Sequence, residues 1–596
     1  MNYEESSFVN KTDRPWPNKR LKISAIVGHT TSNSSKIWVR TGNLGDFSLI
    51  CFPADDKKVF DLWKQHKRLE FDMNNLTQNS KYFHDFSVKD WKGDSTHVVD
   101  LSGLESDKKY IYALYSYGET KNRIVLGQDR EYSFKTPSNK EGEFRFGLFS
   151  CHKPFKGSNL FSKKVEIENM GMWDYLSDKI SSKNKASDKD KVSDKDKGSG
   201  GNIDFLMAGG DQCYVDGIDE LNIWTFLNKV MRVEGDEIFP KHDTILSWYR
   251  DIYRGYWGFD SIKHIFSSVP TYMIWDDHEL GDGWGSFYFD GNSDEKEQEL
   301  NEILPGYKDK GLNASQCKEL IKRMGMAAKQ VYQEYQHSHN PDTPENQYDY
   351  HFCHKGCNFY VLDGRGHRDI NLSEYKILGK DQMKRFRGYV DNLDGSKKPL
   401  LFVTSAVPVF HMKASIAEKL ESNILGDIAN IQDDLRDSWE WKGHDKERKE
   451  FMDILFDAAK RGIRVCILSG DVHISAAFKV SDEQKNVIYQ LTSSAITYNT
   501  PSVLGYLLSA TVPDEGKTDD GYEFERLALL TENSYSVIRV IPDREEVHFQ
   551  LYGEQFHSLI DNSQLTGKDR KNKHNPNIVK EIPISKSIAK VSLKWK

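Results

Sequence analysis

The chain of 596 residues is 38% hydrophobic and 12% aromatic, which supplies apolar material for two or more buried cores. Lysine and arginine number 82 against 90 aspartates and glutamates, and the net charge of −8, mild for this length, argues against a nucleic-acid backbone as obligatory partner. No apolar run of about 18 residues occurs and MNYEESSFVNKTDRPWPNKR has no apolar leader core, so neither a transmembrane helix nor a secretory signal is expected.

Residues 1–20 read as a flexible start. From 21 to 138, short strands alternate with polar turns: LKISAIVGHTTSNSSKIWVRTG, THVVDLSGL, YIYALYSYG. That spacing predicts an antiparallel β-sandwich of fibronectin or immunoglobulin type, a packing or shielding module without chemistry of its own. From 139 to 560 the texture becomes strands alternating with amphipathic segments of helical length, an α/β body. Core strands are predicted at FRFGLFS, DFLMAG, TYMIW, NFYVLD, LLFVTSA and RVCILSG, and helices over Leu221–Val233, Ser315–His337, Gly379–Leu393 and Asp445–Arg461. Residues 181–201 repeat SDKDK with almost no apolar anchor and read as a solvated insertion. After the strands YSVIRVIPD and EVHFQLYG, residues 561–596 read as a basic tail, lysine-rich from Lys568. The seven cysteines are odd in number and scattered, which argues for a reducing, cytoplasmic compartment.

Several of the apolar strands break off directly into metal-ligand residue types, and the carboxyl ends of strands are where open α/β sheets bind ligands. FRFGLFSC ends on Cys151, which in isolation is more often a small core residue than a thiolate ligand. A nucleophilic pair with the adjacent His152 is the weaker reading, since no orienting partner is evident. GGDQCYVDG carries Asp211 and Tyr214; an aspartate there can equally cap a helix. A phenolate, with a free pKa of about 10, needs a strong Lewis acid to stay ionised, and ferric iron is the natural candidate. WDDHELGDGWGS sets Asp276 and Asp277 side by side, a costly arrangement without a cation, followed by His278, which can bind a phosphoryl oxygen or protonate a leaving alkoxide. In VLDGRGHRD, one of Arg365 and Arg368 can clamp a phosphate and the other brace an acid. ILSGDVHIS ends in Asp471, suited to calcium or magnesium, and His473, suited to iron, zinc or manganese; a buried salt bridge is the competing reading. Cys353 and Cys357 have zinc-like spacing but lie where a hairpin enters a core strand, and read as packing.

The ordered set FSC, GGDQCYVD, WDDHE, VLDGRGHR, TSAVPV and LSGDVH resembles the alkaline phosphatase D (PhoD-like) metallophosphatases of the calcineurin-like phosphoesterase superfamily. The amino-terminal segments resemble that family's accessory sandwich, so the likeness runs from about Lys22 to Gly553. It implies an α/β (α+β) architecture: a βαββαβ-type core of two mixed sheets flanked by helices. It further implies Fe3+ held by Cys151, Asp211, Tyr214 and His473, with Asp211 bridging to Ca2+. Asp471 and an acid of WDDHE complete the calcium site, Asp277 first and Asp276 second; Mn2+, Zn2+ or Mg2+ are alternative metals. Family members with an asparagine pair after DDHE differ from this chain, which has GDGWGS and offers Asp282 instead. His278 and Arg365 would stabilise the phosphoryl charge. The function implied is metal-dependent phosphoester hydrolysis, phosphatase or phosphodiesterase; a non-catalytic phosphate- or phospholipid-binding protein on the same scaffold is the alternative.

Overall fold

The computed structural model describes residues 16–56, 82–117, 123–127, 130–158, 164–182, 203–286, 297, 300–411, 436–498, 512–518, 520–554, 589–593 and 595. The expected insertion beyond 182 and most of the loop Ala414–Trp441 lie outside them.

The amino-terminal strands form two antiparallel sheets. One contains Ser24–Thr30, Ser34–Arg40 and Thr96–Ser102; the other places Gly45–Pro53 between Phe83–Val88 and Lys109–Tyr117, the latter also pairing with Arg123–Leu126 and Tyr132–Lys135. Alternation along KIWVR explains how the first sheet is used. Ile37 and Val39 enter the core between the sheets, while Trp38 points the other way into the α/β body, where its indole N–H donates to the Glu334 carbonyl at 2.7 Å. Both faces of that sheet are therefore buried, and the module is packed against the body.

The body holds two mixed sheets. The first runs Thr271–Ile274, Phe205–Gly209, Phe144–Phe149, Ser534–Ile541, Glu546–Gly553, Ala589–Leu593, with its first three strands parallel. In the second, Cys357–Val361, Leu400–Thr404, Arg464–Ser469 and Val487–Thr492 are parallel neighbours, extended by antiparallel strands on both sides. All six predicted core strands are present. Aromatic rings lock the sheets face to face: Phe146 lies 5.5 Å from Phe359 and 5.4 Å from Phe402 between ring centroids. The four predicted helices appear as Ile223–Val230, Ala314–Tyr335, Gly379–Asp391 and Asp445–Lys460. The helix His242–Tyr256 was not predicted; every residue from Ile245 to Tyr256 is buried, and even its polar stripe of Ser247, Arg250, Asp251 and Arg254 meets protein partners such as Glu334 and Asp94. The carboxyl-terminal stretch is not wholly a tail: Ala589–Leu593 adds an edge strand to the first sheet, a short β pattern hidden among lysines. Cys353 and Cys357 flank the turn of a hairpin and are both free thiols.

Parallel register puts the strand ends Phe149, Gly209 and Ile274 along one edge, and Val361, Thr404, Ser469 and Thr492 along the edge of the facing sheet. The functional side chains follow directly after these ends.

Candidate active site

Four residues that the sequence marks as ligands leave their strands with a left-handed backbone: Cys151 (φ 57°), Asp211 (φ 58°), Asp471 (φ 65°) and His473 (φ 54°). Side chains other than glycine adopt this region at a cost, and such residues cluster where function requires them. The turn swings each side chain off its strand axis into the space between the two sheet edges.

There, four different donor atoms converge. Cys151 Sγ lies 3.4 Å from Asp211 Oδ2, which lies 3.3 Å from the Tyr214 hydroxyl, which lies 3.2 Å from His473 Nε2. The Cys151 thiol also meets the Asp471 carbonyl at 3.2 Å and Ser494 Oγ at 3.1 Å. His152 is not its partner. Its Nδ1 accepts from the Trp173 indole at 3.1 Å and its Nε2 faces the Tyr256 carbonyl at 3.1 Å, so the ring is an anchor and no Cys–His nucleophile exists.

Beside this set, Asp211, Asp276, Asp277 and Asp471 each bring a carboxylate oxygen within 4.8 Å of the others, and Asp211, Asp277 and His278 form an overlapping triad. Among the described residues no other group of three or more histidine, cysteine or acidic side chains gathers this way. Asp282 does not join them; its backbone N–H is bound by the Asp216 carboxylate. Asp211 Oδ1 and Asp276 Oδ2 are buried without a hydrogen-bond partner. Burial, reinforced by the neighbouring carboxylates, holds the Asp211 and Asp471 carboxyls far above their usual range and pushes Asp276 up to about 7. Burial also drives the Cys151 thiol and Tyr214 phenol upward, while it pushes the His473 imidazole down to about 3, keeping that ring neutral. Crowded acids that resist ionisation, orphaned oxygens and a neutral imidazole are what a multivalent cation resolves, because it favours the deprotonated form of every ligand.

The acids are held by a frame that sequence reading did not find. Glu279 accepts the backbone N–H groups of Asp211 at 3.0 Å, Gln212 at 2.6 Å and Asp276 at 2.9 Å, tying two ligand loops together. Asp437 takes both terminal nitrogens of Arg365 at 2.5 Å, and Arg365 Nε donates to Asp276. Arg365 is thus fully buried with its fork committed to carboxylates; it braces Asp276 and does not face the open side as a phosphate clamp, contrary to expectation. Arg368 likewise reaches Asp437, at 3.2 Å. Asp216 holds His278 Nδ1 at 2.7 Å, and the His278 ring stacks on Tyr214 with centroids 4.0 Å apart. Burial works against a charge on His278, but the carboxylates of Asp216, Asp277 and Asp211 outweigh it and raise its proton affinity well above the usual imidazole value. The acid in GGDQCYVDG and the glutamate of WDDHE were visible signals; Asp437, in DLRDSWEW, follows no predicted strand and gave none.

Two mixed sheets that gather candidate cation ligands at a shared edge are the architecture of the metallophosphatase class of α/β fold. Residues 192–528, more than half of the chain, match the family model described as PhoD-like phosphatase, and the chain belongs to that family. It is accordingly a phosphatase, a hydrolase of phosphoric esters. Cys151 precedes the matched span; the other candidate ligands lie inside it. Among solved structures, that of PhoD is similar over 90% of this chain and 86% of its own, with a TM-score of 0.53 at 15% identity, a likeness of fold. The purple acid phosphatase PPD1 from yellow lupin (Lupinus luteus) seeds aligns over 90% of this chain and 72% of its own, with a TM-score of 0.45 at 11% identity. No curated protein sequence matches the chain. No helix among the described residues is long and apolar enough to cross a membrane.

Proposed function

We propose that this chain hydrolyses phosphoesters at a two-cation centre, with ferric iron held by Cys151, Asp211, Tyr214 and His473. Asp211, Asp471 and Asp277 or Asp276 would hold a calcium ion beside it. The observation that carries this is the convergence of a thiol, a carboxylate, a phenol and an imidazole at successive spacings of 3.4, 3.3 and 3.2 Å beside the four-carboxylate cluster. The donors fit. Thiol, phenol and imidazole suit a strongly polarising transition ion, and a carboxylate cage with orphaned oxygens suits a hard divalent ion such as calcium, magnesium or manganese. When bound, such cations supply Lewis acidity toward the phosphoryl group and a water acidic enough to attack it near neutral pH.

The chain's own residues supply position and charge. Glu279 and Asp437 fix the acids through backbone N–H groups and Arg365, so their geometry is set before substrate arrives. His278, oriented by Asp216 through Nδ1, is placed at the partly exposed edge to donate a proton to a departing alkoxide. No protein nucleophile is required. The test is Asp211→Asn, assayed on a chromogenic phosphomonoester and its diester counterpart with metal content measured alongside. Loss of turnover on both, with the circular dichroism spectrum retained, is expected. Wild-type turnover in that variant refutes the proposal.

A further inference from the structure

The chain around Cys151 places one more charged group at the mouth of the site. His152 is turned inward and anchored at both ring nitrogens, while Pro154 and Phe155 are buried on the other side. Lys153, between them, is directed to the partly exposed rim. Its ammonium lies 4.4 Å from the centre of the Tyr498 ring and 5.7 Å from that of Tyr214. Tyr498 in turn stacks on His473 at 3.5 Å, so the ammonium is held by one candidate iron ligand, Tyr214, and by a ring that stacks on another. Most lysines whose ammonium contacts appear in this structure meet a carboxylate; among the described residues Lys153 has none, and its contacts are the two rings.

An ammonium beside a centre built for cations is electrostatically unfavourable until an anion arrives between them. The tyrosine faces compensate only in part, since a ring presents a quadrupole and no full negative charge to the ammonium. We infer that Lys153 is a substrate-binding residue that contacts a non-bridging phosphoryl oxygen, and that it favours the dianion of a phosphomonoester over the monoanion of a diester. This rests on the two-cation reading of the site and names the substrate class that site selects. Arg365, saturated by Asp276 and Asp437, cannot take that role; among the described residues Lys153 and His278 are cationic side chains beside the candidate ligands that remain open to an anion.

The experiment uses the metal-loaded full chain and two readouts. Binding of inorganic phosphate, followed by calorimetry, is compared for wild type, Lys153→Met and Lys153→Arg; kinetics are measured on matched mono- and diester substrates. Removal of one charge-assisted hydrogen bond predicts phosphate affinity weakened roughly 10- to 100-fold in Lys153→Met, with recovery in Lys153→Arg. It also predicts a monoester kcat/KM that falls more than the diester value, with metal content and melting temperature unchanged. Phosphate affinity within twofold of wild type in Lys153→Met, or equal losses on both substrates, overturns the inference. A wild type that binds phosphate through Lys153 yet turns over no ester would instead overturn the hydrolase reading and leave the binding role standing.

Discussion

Glu279→Gln replaces one carboxyl oxygen by an amide and changes almost no volume, so its effect reports the polar interactions at the site and not packing. Glu279 Oε1 accepts from Gln212 N and Gln336 Nε2; Oε2 accepts from Asp211 N and Asp276 N. All four donors are buried N–H groups. A glutamine can offer oxygen to one pair only, and its amide then points two hydrogens at the other pair. Each buried donor left without an acceptor costs about 1–3 kcal/mol, so the variant loses about 2–6 kcal/mol, a large share of a typical total of about 5–15 kcal/mol. Because either rotamer strands at least one backbone N–H of a candidate ligand loop, Gln212 in one and Asp211 with Asp276 in the other, at least one cation site loosens as well. Thermal melting with and without added calcium, together with elemental analysis, reads both effects: a drop of several degrees and a fall in bound metal. A variant that melts with wild type and keeps its full metal content would refute the claim that Glu279 ties the two loops.

Two further outcomes follow from the same charges. In metal-free protein, burial raises the Asp276 carboxyl from 3.8 to about 7, with Asp277 and Asp437 adding to the rise against Arg365. The protonated acid therefore stabilises the folded state fully below pH 3.8, and that contribution is lost as pH climbs through about 7. Melting temperature of the stripped chain should decline across that window, and excess calcium should abolish the decline by binding the ionised form; a stripped protein with no such slope contradicts the assignment. For the iron site, the loaded protein should be coloured by tyrosinate-to-iron charge transfer, and Tyr214→Phe should bleach it with the fold retained. A colourless, iron-free and fully active preparation would displace iron in favour of another metal.

The strands were legible because parallel strands buried on both faces are continuous apolar runs, and each of these ended abruptly in a ligand-type residue. Cys151, Asp211, Tyr214, Asp471 and His473 could be nominated that way, since the strand itself sets where its last side chain lies. The long-range contacts of the supporting groups were not legible. Asp437 reaches Arg365 across a separation of 72 residues, and Glu279 acts on backbone N–H groups 67 and 68 residues away, so no local pattern encodes either contact. Arg365 shows the converse. Its planar fork suits a carboxylate as well as a phosphate, and only the fold reveals that Asp437 already fills it.

Glycine decides how closely the two sheet edges approach, and hence whether the candidate ligands of both can reach one another. Gly210, just before Asp211, has φ 105°, and a methyl group there would sit 2.8 Å from Asp276 Cβ and 3.2 Å from Ala406 Cβ. Gly470, just before Asp471, would place a methyl 2.4 Å from Ser150 Oγ and 3.0 Å from the Gly209 carbonyl. The first position meets a neighbouring strand end of its own sheet at Asp276 and the facing sheet at Ala406, and the second also crosses from one sheet to the other. With any side chain at these positions the edges would have to part, and the separations of 3.2–3.4 Å that link Cys151, Asp211, Tyr214 and His473 would open with them. The glycine preceding each acid is thus as necessary to the centre as the acid: one residue removes a Cβ so that the sheets can meet, and the next turns left-handed so that its carboxylate enters the gap.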